Sequence, residues 1–512
     1  MKIHRRFATV AFAVFFLMNS APRAFAQNTL DGIVLFPGSG AGVLPSNSVS
    51  HLGYFKGILW AGTGRGLAGS TTGGRTWVDF SAVPQFGGNG IFSLDGFGDT
   101  VWASTGFSKD VNGSSVQTGS GYAVSTDAGS SWSSLPQPLD ARDDSSVSYG
   151  LNHVRFLPIV VPEQNVTFDV ALGRESVWIA SWSSGIRTST DLGRSWHRVV
   201  LPNKSRQSIK PSDTLGTYVM DPRSDNNFLG FSVALQGNDT VWAGTAGGVN
   251  RSTDGGTSWQ KFTATNQASH ILSDWVIAIG VQHLNGKTRV WTTNWPAEGP
   301  NQQYGVSYTD DGGATWVNQL VGVKAFGFSF RDSITYIPTV NGVYRTSDGG
   351  ASWFLSGTII DPATGNRITT STFYSTASIG DTVFAASSDG IVRTIDSPSN
   401  PFGASWSIIR AYQPSGSTST TYSYPNPFNP STQACRIHYT TGTSSALVTI
   451  EVFDFGMNRV RTVINGATRT GESDEIWDGR TDSGLLAVNG VYFYRVTSGN
   501  GTPAWGKILV LR

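Results

Sequence analysis

The chain has 512 residues, of which only 14% are charged, while 12% are aromatic and 61 are glycine. A formal net charge of +1, with no basic stripe and no groove of interleaved arginine and aromatic residues, excludes a nucleic-acid surface of the usual kind. One cysteine, Cys435, permits no intrachain disulfide, and the glycine- and aromatic-rich composition suits many short strands joined by tight turns, an all-β protein.

At the N-terminus Lys2, Arg5 and Arg6 precede an apolar run over 7–18 and then Ala-Phe-Ala at 24–26. This order reads as an export signal over residues 1–26, with cleavage after Ala26. The run is too short for a bilayer, and no later stretch reaches the roughly 20 apolar residues of a membrane helix. The expected product is exported, without a membrane span, and slightly acidic once Lys2, Arg5, Arg6 and Arg23 are removed.

From about residue 50 a short phrase recurs: STTGGRTW at 70, STDAGSSW at 125, STDLGRSW at 189, STDGGTSW at 252, TDDGGATW at 309 and TSDGGASW at 346. A stretched seventh copy runs from Thr394 to Trp406. The short Asp side chain accepts bonds from nearby backbone N–H groups, and the Gly two residues on permits φ > 0, so the phrase predicts a tight turn between strands. The Trp that follows starts the outgoing strand as an apolar anchor. Before each turn stands a strand-like phrase of the kind ILWAGT at 58 or TVWAGT at 240. These phrases recur at intervals of roughly 40 to 75 residues, near or above the ~40–50 of a four-stranded propeller blade. Seven phrases and seven turns predict seven blades.

The eight-residue phrase resembles the Asp-box of sialidases, xyloglucanases, sortilin-type receptors and photosystem assembly-factor propellers. The resemblance implies a seven-bladed β-propeller over residues 27–412. It also implies that the box aspartates and tryptophans are structural: Asp127 and Trp132, Asp191 and Trp196, Asp254 and Trp259, Asp311 and Trp316, Asp348 and Trp353. Two copies depart from the pattern. Thr72 stands in place of Asp in the first, and five extra residues separate Asp396 from Trp406 in the last.

If the boxes lie on one face, the opposite face carries the loops after the VWAGT-type strands and between blades. Insertions concentrate on blades 2 to 5, and they hold Trp182, Trp295 and Glu298, with Asp110, Asp143, Asp144, Asp213, Asp221 and Asp225. Trp beside carboxylates suits a sugar, which presents apolar ring faces and hydroxyl edges, so Trp182, Trp295 and Glu298 are candidate ligand contacts. A glycosidase needs two facing carboxylates roughly 5–10 Å apart; Asp221, Glu298 and Asp144 are the candidates here. The sialidase pattern itself fits poorly, since Arg155 to Pro158 reads RFLP and follows the second box. The scattered histidines show no zinc spacing, and no metal or cofactor is expected.

After residue 412 a polar Ser/Thr-rich stretch over 413–423 reads as a linker. Beyond it, period-two strands such as LVTIEVFDF at 447 and GVYFYRV at 490 predict a β-sandwich of immunoglobulin-like size. YPNPFNPST at 424, WDGRTDSG at 477, NGVYFYRV at 489 and the terminal KILVLR resemble the C-terminal sorting domains of type IX secretion cargo, of the FlgD-like immunoglobulin subtype. Tyr424, Pro425, Pro427, Phe428 and Pro430 match the opening motif, and Gly490, Tyr492 and Lys507 the closing one. The resemblance implies a sorting domain over 424–512, export partners in the type IX machinery, and a Gram-negative host of the Bacteroidetes or Chlorobi kind.

The expected protein is thus a secreted or surface propeller, monomeric, binding an extracellular glycan or protein ligand. The alternative is a glycoside hydrolase of the xyloglucanase or sialidase-like superfamily acting through two loop carboxylates. A weaker third reading is an assembly-factor-like scaffold.

Overall fold

The computed structural model describes residues 44–411 and 421–512, except Ala82, Asn112, Gly113, Asn285, Glu298, Pro300, Thr432, Gln433 and Asn500. The expected signal over 1–26, most of the linker and the candidate Glu298 therefore lie outside the described residues. The chain divides into two compact units at the border between Ala411 and Tyr412.

The first unit is a seven-bladed β-propeller. Its blades are antiparallel sheets spanning 49–79, 90–135, 167–198, 230–262, 275–319, 329–355 and 373–409. Each blade runs through four strands in sequence order from the central channel outwards, and the fourth blade takes Ser208–Ile209 as a fifth strand on its outer edge. The second strand is the buried spine: Ile58–Thr63 is buried at every position, and Thr240–Thr245 at all but its first.

Five of the seven blade interfaces hold a pair of tryptophans, while the second strands of the sixth and seventh blades carry Tyr336 and Phe384 at that position. The second-strand Trp of one blade meets the box Trp of the next, edge to face: Trp60 with Trp132 at 6.0 Å, Trp102 with Trp196 at 6.1 Å, Trp178 with Trp259 at 6.3 Å, Trp242 with Trp316 at 6.3 Å and Trp291 with Trp353 at 6.4 Å. Such pairs add about 0.5–1.5 kcal/mol beyond the area they bury. The recurrence of both phrases follows, because each is half of one interblade contact. The box glycine serves the same contact. Gly256 sits at φ 88°, and a Cβ there would lie 2.4 Å from the Trp178 ring.

Near the channel, side chains of one blade bond the inner strand of the next. Ser50 Oγ donates to Ile91 O at 3.1 Å, Ser104 Oγ to Thr167 O at 2.9 Å and Ser232 Oγ to Val276 O at 3.1 Å. Asp95 accepts from Leu172 N at 2.7 Å and Asp169 from Val233 N at 3.0 Å. The ring closes in the same way, with Ser375 Oγ accepting from Leu52 N at 3.0 Å and Asn47 taking Gly390 N and Ala411 N at 2.7 Å each. Blades one and seven are each contiguous in sequence, so closure rests on these bonds and on a shared core of Val49, Leu59, Trp77, Phe384 and Ile391.

The long connections between blades 2 and 3 and between blades 3 and 4 are not open loops at the channel mouth, as the sequence suggests. Ser146–Tyr149 and Asn152–Phe156 from the first pair with Val219–Met220 from the second in a three-stranded sheet along the outer rim. Its apolar residues Tyr149, Val154, Phe156, Leu215 and Met220 join one core with Trp178 and Trp259. Burial of these side chains draws both insertions onto the rim.

In the second unit Cys435–Phe453 and Arg459–Trp477 form a long antiparallel hairpin with several register shifts. The first half of Cys435–Phe453 pairs with Thr421–Tyr424 and its second half with Gly490–Ser498, which pairs in turn with Ala504–Val510. Three residues of the expected linker, Thr421 to Ser423, thus belong to a strand. Alternate residues Val448, Ile450 and Val452, and Tyr492, Tyr494 and Val496, face one core around Trp477, an immunoglobulin-like arrangement.

Candidate functional site

The box aspartates are absorbed by their own turns. Asp254 Oδ1 accepts from Ser258 N at 2.8 Å, Thr257 N at 3.1 Å and Ser252 Oγ at 2.7 Å, while Ser258 Oγ donates to Oδ2. Asp127, Asp191, Asp311 and Asp348 repeat the pattern. The Ser195 hydroxyl and N–H hold the Asp191 carboxyl well below the usual range, and Ser352 does the same for Asp348. These are ionised turn formers, with no carboxyl poised to give up a proton near neutrality.

The rim insertions use their acids likewise. Asp140 is buried between two guanidiniums, 2.6 Å from Arg187 and 2.5 Å from Arg198. Asp225 caps a short 3₁₀ turn by accepting from Asn227 N, and also accepts from Lys204 N. Asp213 accepts from Lys210 N at 3.0 Å. Asp221 is clamped by Arg223 at 3.0 and 2.7 Å, which lowers its pKa, the opposite of what a general acid needs. Asp143 and Asp144 are exposed on the turn that leads into Ser146–Tyr149, two strands across the rim sheet from Val219–Met220 and Asp221.

At the channel mouth stand Trp182, just beyond Val177–Ser181, and Trp295, the last residue of Lys287–Trp295. Trp295 is not the open stacking surface its loop suggests. It is 4% exposed, its Nε1 donates to Ala325 O at 2.8 Å, and Lys324 Nζ covers its ring at 4.3 Å. Trp182 is half-buried in an aromatic group drawn from three blades: Phe231 at 5.0 Å, Trp275 at 6.2 Å and Phe168 at 6.5 Å. Phe168 and Phe231 occupy the bulge positions of their inner strands, where the register with the second strand slips by one residue. The bulge re-aims the aromatic ring at the strand end. Sequence reasoning misses Phe168, Phe231 and Trp275, whose signal is an aromatic residue at the very start of each inner strand.

A wall flanks this group. Thr100–Val111 and Ser114–Ser125 extend as a hairpin well beyond the other blades' strands, carrying Asp110 near its tip. The hairpin is fastened by a 2.5 Å ion pair between Lys109 and Glu163 and by Gly119 N donating to Pro162 O. Next to Phe168 in the inner strand, Asp169 accepts from Val170 N and Val233 N, and burial pushes its carboxyl up to about 7 against those bonds, with Asp95 adding repulsion. Burial likewise raises Asp95 to about 6. Among the described residues no group of three or more His, Cys, Asp or Glu is arranged to hold a metal ion, and no helix is long and apolar enough to cross a membrane.

In the C-terminal unit the matched motif residues pack the first strand against the last. Tyr424, Phe428, Pro430 and Tyr492 are buried, Phe428 lies 5.5 Å from Trp477, and Gly490 pairs with Val510. Pro425, Pro427 and Lys507 are exposed, and the Lys507 carbonyl accepts from Asn426 Nδ2 at 2.7 Å.

Residues 429–502 match the family model of the FlgD Ig-like domain. Comparison with the curated proteins gives no match. Among solved structures, the chain is similar to the GH74 enzyme of Niastella koreensis, at 13% identity and a TM-score of 0.48 over 92% of this chain and 74% of that one. It is similar to PorZ, described as an essential surface component of the type-IX secretion system of Porphyromonas gingivalis, at 12% identity and a TM-score of 0.41. That match covers 91% of this chain and 66% of the PorZ chain, just under two thirds of its length. YCF48 of Cyanidioschyzon merolae is similar at 17% identity and a TM-score of 0.39, over 69% of this chain and 96% of that one. No activity passes to this chain from likenesses of this level.

Proposed function

We propose that this is a secreted or cell-surface Asp-box propeller that binds an extracellular glycan or protein ligand at the channel mouth. The observation that carries the reading is the aromatic group of Trp182, Phe168 and Trp275, half-exposed at the end of the ring where the second-blade hairpin raises a wall. Rigid blades hold these rings at fixed separations, as a ligand with flat apolar faces requires. The C-terminal unit acts as an export address for the type IX machinery of a Gram-negative bacterium, a reading supported by the FlgD Ig-like match and by the motif residues Tyr424 to Pro430. The test is a glycan array on the mature chain and on Trp182→Ala. Binding reduced about tenfold or more in the variant at unchanged melting temperature supports the reading; equal binding sinks it.

A second reading, glycoside hydrolysis, has one observation in its favour. Asp169 sits beside the aromatic group with a carboxyl held up to about 7, the range of a general acid. Release of reducing ends by the native chain and its loss in Asp169→Asn would establish it.

A further inference from the structure

The two departures from the repeat, Thr72 in the first box and the stretched seventh box, meet at one place. They line a groove of about 330 Å³ between the last and first blades, with Arg75, Arg393, Asn400 and Ser405. Elsewhere the arginine that projects across an interface is consumed there. Arg251 donates to Gly312 O at 2.5 Å, Arg289 to Gly349 O at 2.9 Å and Arg345 to Asp396 at 2.8 Å. Arg393 holds the strand position of Arg251 and Arg345, and Gly73 the box position of Gly312. Yet neither the Arg393 nor the Arg75 side chain makes a hydrogen bond or ion pair with any described residue. The space is vacant as well: a Cβ on Gly312 would lie 2.5 Å from the Arg251 guanidinium, whereas one on Gly73 would meet nothing within 4 Å.

Among the described residues no carboxylate lines the groove. The Asp of the first box is Thr72, and the last, Asp396, points to the sixth blade, held by Tyr336, Arg345 and Arg331. Two guanidiniums with free donor forks, surrounded by hydroxyl and amide groups, suit a ligand that combines an oxyanion with hydroxyls.

We propose that the groove between the seventh and first blades is a binding site for an acidic sugar, with Arg393 and Arg75 on its carboxylate or sulfate and the side chains of Asn400 and Ser405 on its hydroxyls. The groove lies where second strand Thr382–Ser387 begins, whereas Trp182 follows the end of a second strand. The site is therefore at the opposite end of the ring from the channel mouth, and its failure leaves that reading untouched.

The test is calorimetric titration of the mature chain with oligogalacturonate, a sulfated oligosaccharide, a neutral oligosaccharide of equal length and polyglutamate, repeated for Arg393→Gln, Arg75→Gln and Arg393→Lys. The expected result is binding of an acidic sugar, weakened by salt, reduced about tenfold or more in each Gln variant and partly kept by Lys. Uronate alone assigns a carboxylate, and the sulfated sugar alone a sulfate ester. Binding of polyglutamate in preference to both overturns the proposal in favour of an acidic peptide. So does the absence of acidic-sugar binding, or affinity unchanged in both Gln variants whose melts match the native chain.

Discussion

Asp169 on the third blade's inner strand accepts the Val233 N–H of the fourth blade at 3.0 Å, although the same burial raises its carboxyl to about 7. A protonated acid still offers its carbonyl oxygen, so the tether survives in both states, and ionisation is what costs. In the unfolded chain this carboxyl titrates near 4. Below that pH both forms are protonated; between about pH 4 and 7 the unfolded chain ionises first, so stability falls as pH rises and the loss is complete above the folded value. Asp95, raised to about 6, adds in the same direction. Burial holds the His51 imidazole down to about 4, which opposes this trend below about pH 6.5. The Asp169 contribution is therefore read from urea midpoints at pH 5 and pH 8 in the native chain and in Asp169→Asn, where the variant should gain stability at pH 8 relative to pH 5. An unchanged difference between the two pH values in Asp169→Asn would contradict this.

Trp259→Ala should cost about 3–5 kcal/mol, because its ring is 2% exposed and packs against Trp178 of the preceding blade. The double variant with Trp178→Ala should cost less than the sum of the singles, since each removes the same contact. Chemical denaturation of the four proteins measures the coupling.

Removal of the buried Asp140 carboxylate leaves the Arg187 and Arg198 guanidiniums facing each other in the core. Burial and the Arg187 charge already pull Arg198 down to about 10. Asp140→Ala should therefore cost about 3–5 kcal/mol, whereas exposed Asp143→Ala should stay within about 0.5 kcal/mol. Thermal melts of the two variants distinguish them.

The first box shows how much a turn needs its carboxylate. Thr72 Oγ1 accepts from Thr76 N at 2.9 Å, where Asp254 Oδ1 accepts from Ser258 N at 2.8 Å. Asp254→Thr should consequently lose less than Asp254→Ala, which should lose about 1 kcal/mol. Amide exchange at Ser258, faster in the Ala variant than in the Thr variant, is the local readout.

Blade number and box chemistry were legible because they rest on local patterns: a β-branched strand around Trp242, and a Ser-x-Asp-x-Gly turn around Asp254. The partners of those residues were not, since Trp242 meets Trp316 across an interface that only the ring creates. The insertions misled for a related reason. Tyr149 and Met220 are isolated apolar residues in polar surroundings, and nothing short of the paired rim sheet says that they share one core. At the channel mouth Trp182 was visible as a Trp after a strand, but Phe168 and Phe231 depend on a register slip that no single segment reveals.

On the proposed function, the channel mouth binds its ligand and does not hydrolyse it. The most direct measurement is polysaccharide binding and reducing-end release on one ligand panel, with the native chain, Trp182→Ala and Asp169→Asn. Binding without release, lost in Trp182→Ala and kept in Asp169→Asn, is the predicted result; release that disappears in Asp169→Asn would contradict it.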